Sequence, residues 1–143
     1  MEKHPKSAFA RIVDWNMERG LIKTPGDVNL LNEMSFITEE LIEMGTLLES
    51  EDARKIAKAH AELMYEKTVE HTPEQVVDAA GDIIVFATGL IRKMGYDVDK
   101  TMEEVLREIE SRRGTIIEGK FVKDKSQAAQ ALWYKANFSN AKL

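Results

Sequence analysis

The chain has 143 residues, 43% of them hydrophobic and 31% charged, with a net charge of −5 and no cysteine. That length suits one domain with a single core, the missing thiols exclude disulfides and thiolate metal sites, and the acidic balance speaks against holding nucleic acid. The opening "MEKHPKSAFARIVDW" has no apolar signal-like stretch and no apolar run reaches the length of a membrane span, so a cytoplasmic protein without membrane contact is expected.

Helical periodicity runs through nearly the whole chain. A first helix near residues 6–19 puts Phe9, Val13 and Met17 on one stripe and stops at Gly20-Leu21. After the turn "KTPGD", a second helix is expected from about Asn29 to Glu49. Its Leu30, Met34, Ile37, Leu41, Met44 and Leu48 form a packing seam. "SEDARKIAKAHAELMYEK" reads as a third helix, capped by Ser50 with Glu51 and Asp52 in its first turn, and with His60 on its surface. Thr72, Pro73 and Gln75 form the cap, first position and capping box of a fourth helix that reaches about Met94 and stops at Gly95. A fifth runs from Asp99 to near Arg113, ended by Gly114. "TIIEGKFVK" reads as two short strands about Glu118-Gly119. A short helix and an extended tail follow, anchored by Trp133 and Tyr134 on this domain or a neighbouring subunit. The expectation is an all-α fold: one domain over 1–143, a bundle of about five helices, and a C-terminal tail over 115–143 with a small hairpin.

Within "DAAGDIIVFATGLI" the only charge after Asp78 is Asp82. A helix this apolar is expected to be buried on most sides, where an unpaired carboxylate costs several kcal/mol. At roughly 100° per residue, Asp78, Asp82, Val85 and Gly89 share one face. On the second helix Phe36, Glu40, Glu43 and Leu47 fall within about 60°, with Glu39 beside them. Two helices therefore each present a pair of acids on a partly apolar face. If those faces meet, a hard divalent cation, Mg²⁺ or Mn²⁺, resolves the repulsion. Such sites usually present metal to substrate phosphates. The plainer readings are a solvated acidic face for Glu40 and Glu43, and an Arg or Lys partner for Asp82. A carboxylate-bridged di-iron site needs Glu-x-x-His, which the chain lacks.

At these residues the sequence resembles the all-α nucleoside triphosphate pyrophosphatases, the MazG-like group. That family is marked by E-x-x-E on one helix and E-x-x-D on a later one. Here "EELIEM" supplies Glu40 and Glu43, and "DAAGDIIVFATG" supplies Asp82. The position three before Asp82 is Ala79, so Asp78 is taken as the substitute. "FARIVDWNMERGLI" looks like the group's opening helix, and "EEVLREIESRRGTIIEGKFVKDK" like its closing helix and basic tail. Arg112 stands where many relatives carry Asn.

The resemblance implies hydrolysis of a nucleoside or deoxynucleoside triphosphate between its α- and β-phosphates, giving a monophosphate and pyrophosphate. It implies Mg²⁺ held by Glu40, Glu43, Asp78 and Asp82, with Glu39 as the spare carboxylate for the attacking water. It also implies a homodimer or larger assembly. Arg112, Arg113, Lys120, Lys123 and Lys125 form a basic cluster that is a candidate for clamping the polyphosphate, and Trp15 and Asn16 are candidates for stacking on and reading the base; a solvated tail and plain helix packing are the alternatives. Two other functions stay open: a helical regulatory or interaction module with a degenerate site, and a phosphoribosyl-ATP-type pyrophosphohydrolase.

Overall fold

The computed structural model describes residues 6–22, 24, 26, 28–45, 50–66 and 72–143, apart from the side chain of Ser50. Five helices of seven or more residues, one two-stranded antiparallel sheet and a short 3₁₀ turn make it all-α, as the periodicity predicts. The chain divides into two compact units: Thr24–Val76, and Met1–Lys23 with Val77–Leu143.

The first unit is a helix pair, α2 (Leu30–Gly45) and α3 (Ser50–Glu66). Ala53, Ala57 and Ala61 recur every four residues on α3 and are fully buried. Side chains this small let a neighbouring helix approach closely. The buried residues of α2 are Ser35 and Glu39, so this pair closes on small and polar groups. That overturns the expected seam: Ile37, Leu41 and Met44 are exposed, Leu41 at 64%. Period alone finds an apolar stripe but not which face its neighbour takes, and here the alanines decided it. The expected Leu47, Leu48 and Glu49 at the end of this helix lie outside the described residues.

The second unit holds α1 (Ala8–Glu18), most of α4 (Pro73–Lys93), α5 (Val98–Glu110), strands β1 (Gly114–Ile117) and β2 (Lys120–Lys123), the short α6 (Gln127–Gln130) and a 3₁₀ turn over Phe138–Ala141. Ser7 caps α1 and Asp97 caps α5, each accepting a backbone N–H three residues on. Capped by Asp97, α5 starts at Val98, one residue earlier than expected, and ends at Glu110 rather than near Arg113. Gly114 is no helix stop. It opens β1, where an added Cβ would collide with the Val122 carbonyl oxygen. Glu118 and Gly119 both take positive φ in the two-residue turn, the conformation such a hairpin requires.

α1 packs on α5 through Arg11 rather than through its apolar stripe. Arg11, 7% exposed, donates to Glu103 at 2.5 Å and to Glu110 at 2.9 Å. Phe9, Val13 and Met17 face solvent instead, against expectation. The tail is not simply extended. Tyr134 Oη and Asn140 Nδ2 donate to the buried Glu104 carboxylate at 2.5 and 2.7 Å. Asp97 and Leu143 donate their backbone N–H groups to the Ala141 and Gly95 carbonyls. The tail is thus anchored on its own chain by Tyr134, and Trp133, the other expected anchor, lies against Arg112 and Lys123 of the same chain.

α4 is the largest departure. None of its residues is buried, and Phe86 is 77% exposed. Thr72 Oγ1 accepts the Gln75 N–H, as its capping role predicts, and Gly95 follows the helix with a positive φ. The local signals hold, then, while the expected burial does not. No described helix is long and apolar enough to cross a membrane.

Candidate functional site

Glu39, Glu40 and Glu43 lie on α2, within the helix pair. Glu40 is exposed, Glu43 half-buried, and Glu39 only 4% exposed. Glu39 turns toward α3, where Arg54 Nε stands 3.6 Å from its Oε1. Three neighbouring acids therefore differ in setting: Glu39 is tucked against the partner helix, Glu43 is half-buried close to the same face, and Glu40 is exposed. Glu33, a turn and a half before, has its carboxyl pushed up by burial.

Asp78 and Asp82 lie on α4 in the other unit and are both exposed. Asp82 was expected in a buried setting; the apolar residues around it are themselves exposed, so it bears no such desolvation cost. Within either unit, no group of three or more His, Asp or Glu is arranged to hold a metal ion among the described residues. The donor chemistry of each helix nonetheless fits a hard cation: only carboxylates, at or near the surface, and no thiolate.

Trp15 and Asn16 are both engaged in the second unit. Trp15 Nε1 donates to the Ile109 carbonyl at 3.3 Å and its ring meets Phe121 edge-on at 5.2 Å. The Arg19 guanidinium covers the Trp15 ring at 4.4 Å. Asn16 Nδ2 donates to the Ile12 carbonyl. Burial lowers the pKa of Arg19, opposed by Glu18 and aided by Arg113. A cleft of about 370 Å³ opens here, lined by Arg11, Arg19, Arg113, Asp14, Glu18, Glu110 and Trp15. Its three guanidiniums face three carboxylates, so it has no net charge with which to select a polyphosphate.

The basic residues divide as well. Arg112 pairs with Glu108 at 2.9 Å and lies over the Trp133 ring at 5.4 Å, with Lys123 Nζ at 5.8 Å from the same ring. Arg112 Nε and Trp133 Nε1 are buried donors with no hydrogen-bond acceptor among the described residues. Lys120 is half-buried on β2, and Lys125 is exposed beyond it. Arg11, Arg54 and Glu104 escaped the sequence reading. Only their burial marks them, and a charged residue on an amphipathic helix gives no signal of that.

The chain matches no family model, no curated protein and no solved structure.

Proposed function

We propose that this protein is a Mg²⁺-dependent nucleotide pyrophosphohydrolase of the MazG-like kind, acting on a nucleoside or deoxynucleoside triphosphate. The observation that carries the reading is on α2: an exposed Glu40 and a half-buried Glu43 lie one turn apart, while Glu39 is drawn against α3. That is a two-carboxylate edge for a hard cation, and the sequence pattern adds Asp78 and Asp82 from α4.

Glu40 and Glu43 would hold a hard cation on α2, and the resemblance adds Asp78 and Asp82 as further ligands; such a cation would supply charge neutralisation for phosphates and a lowered pKa for water. Water attacks the α-phosphorus in line; the bond to the oxygen bridging toward the β-phosphorus breaks, and pyrophosphate leaves with that electron pair. A carboxylate near the water, Glu39 in the first instance, takes its proton. Arg112 and Lys123, both against the Trp133 ring, would supply cationic donors for a phosphate.

Self-association belongs to the same reading. Exposed apolar stripes on α1, α2 and α4 are the surfaces a second copy would cover. The experiment is a nucleotide screen with Mg²⁺ that distinguishes pyrophosphate from orthophosphate release. Pyrophosphate, lost in Glu40→Gln and in Asp82→Asn while the helical circular dichroism is kept, is the expected result. No release from any nucleotide favours the second reading, a helical interaction module, which draws on the exposed face of α4.

A further inference from the structure

The cleft of about 370 Å³ along α1 takes no part in the hydrolysis proposed above. Its lining is neutral as a whole, but its charges are unevenly paired. Arg11 is held by Glu103 and Glu110, and Asp14 by Lys6 at 2.6 Å. Arg19, Arg113 and Glu18 remain. Arg113 is exposed, and among the described residues no carboxylate pairs with it. Glu18 is 73% exposed and comes only to 3.9 Å from Arg19. One positive charge is therefore unmatched at this end of the cleft. Arg19 is the member that needs an anion. Its side chain is 16% exposed, yet its hydrogen bonds run to two carbonyls, of Trp15 at 3.4 Å and Arg112 at 3.3 Å. A guanidinium satisfied by an anion makes bonds of about 2.7–2.9 Å. Withdrawn from water without a close counter-ion, a cation gains from a ligand that brings one. The group is also fixed in place: its Cζ lies 4.4 Å from the centroid of the Trp15 ring and 5.3 Å from that of Phe121. A guanidinium held by two rings gives up little freedom when it takes a bidentate ligand.

We infer that Arg19 and Arg113 form a binding site for one oxyanion group, the carboxylate or phosphate monoester of a small ligand, whose body lies along the Trp15 wall of the cleft. One unmatched charge suits one such group and not a triphosphate chain. Burial, chiefly, and the Arg113 charge lower the pKa of Arg19 against the opposing Glu18, and a bound oxyanion reverses that cost. The cleft lies wholly within the second unit and needs neither a metal nor the acids of α2, so the site stands or falls apart from the pyrophosphohydrolase reading.

The test is NMR titration of the full ¹⁵N-labelled chain at constant ionic strength with acetate, with methyl phosphate and with chloride. The Trp15 indole N–H and the Arg19 Nε–H are expected to shift saturably with at least one oxyanion and not with chloride. Saturation by acetate alone assigns a carboxylate ligand, and by methyl phosphate alone a phosphate monoester; saturation by both supports the oxyanion site that the two share. Arg113→Gln, at an exposed position, is expected to weaken binding about tenfold. Glu18→Gln, which removes the competing carboxylate, is expected to tighten it about threefold. Should either variant fail to fold by circular dichroism, the other decides with the wild-type titrations. Trp15 and Arg19 signals that no oxyanion moves, or that chloride moves equally, overturn the site. So does Arg113→Gln binding as tightly as wild type, or Glu18→Gln binding more weakly. Shifts confined to the Trp133 indole would place the anion at Arg112 and Lys123 and overturn the cleft as its site.

Discussion

Glu104 sits at 2% exposure on α5, with Tyr134 and Asn140 donating to its carboxylate and the Arg107 guanidinium 4.0 Å over the Tyr134 ring. The Tyr134 hydroxyl, then the Asn140 amide, hold the Glu104 carboxyl below its usual value of 4.5; the same bond pushes the Tyr134 phenol above 10.0. A depressed carboxyl gives stability that is complete above the unfolded value and is lost as pH falls through the folded one. A raised phenol gives stability that is complete below its unfolded value and is lost as pH rises through the folded one. Urea midpoints should therefore be flat around neutrality and fall in both acid and strong base. Glu104→Gln should lose less between about pH 7 and pH 3 than wild type does, because it removes one carboxyl from the linkage. Equal losses in the two proteins would show that this carboxyl is not linked to folding. Arg11 presents the complementary case, a buried cation between Glu103 and Glu110. Glu110 is partly exposed, so Arg11→Ala should cost about 2 kcal/mol in urea unfolding, between the values for surface and buried pairs. A change within about 0.5 kcal/mol would mean that solvent replaces the pair without loss.

At the scale of the element, the caps and turns that bound α4 and the hairpin were legible, the ends of α5 were not, and packing partners were not. Thr72-Pro73 and Gly95 bound α4, and Glu118-Gly119 makes the hairpin turn, because those signals are local and need no neighbour. The seams on α1 and α2 were read onto the wrong face, because the choice of face depends on a second helix. α2 closes on α3 with Ser35 and Glu39 against an alanine stripe, and α1 meets α5 through Arg11. An apolar period marks a sticky surface, not the surface that this chain itself covers. The candidate site divides the same way: which acids exist was legible, whereas the inward turn of Glu39 and its contact with Arg54 were not. The close approach on α3 is directly testable. Ala57→Leu adds bulk where the alanine is fully buried and should destabilise by about 1–3 kcal/mol, read as a lower thermal midpoint. A midpoint unchanged by Ala57→Leu would mean that α2 is not held close at that position.

At the scale of the whole molecule, the imbalance between buried and exposed apolar groups is the main feature. Among the described residues Leu106 is the one large apolar side chain that is fully buried, while Phe9, Met17, Leu41, Met44, Val85 and Phe86 stand in solvent. Apolar surface contributes roughly 25 cal/mol per Å² when covered, so stripes of this size favour association. A closed pair of identical chains meets through the same patch on each, and every contact counts twice. Sedimentation at micromolar concentration should therefore show a dimer or larger species. Phe86 is the place to test which surface is used. Covering one Phe contributes about 2 kcal/mol, so losing two across a symmetric interface costs about 4 kcal/mol, close to a thousandfold in dissociation constant. Phe86→Glu adds like charges facing each other on top of that loss. It should turn a dimer at micromolar concentration into monomer while the helical spectrum persists. If α4 instead lay outside the interface, Phe86→Glu would leave the sedimentation profile unchanged, and Leu41→Glu on α2 would be the variant that dissociates it. A wild-type chain that sediments as a monomer and still releases pyrophosphate at full rate would separate the enzymatic reading from the assembly and refute the latter alone.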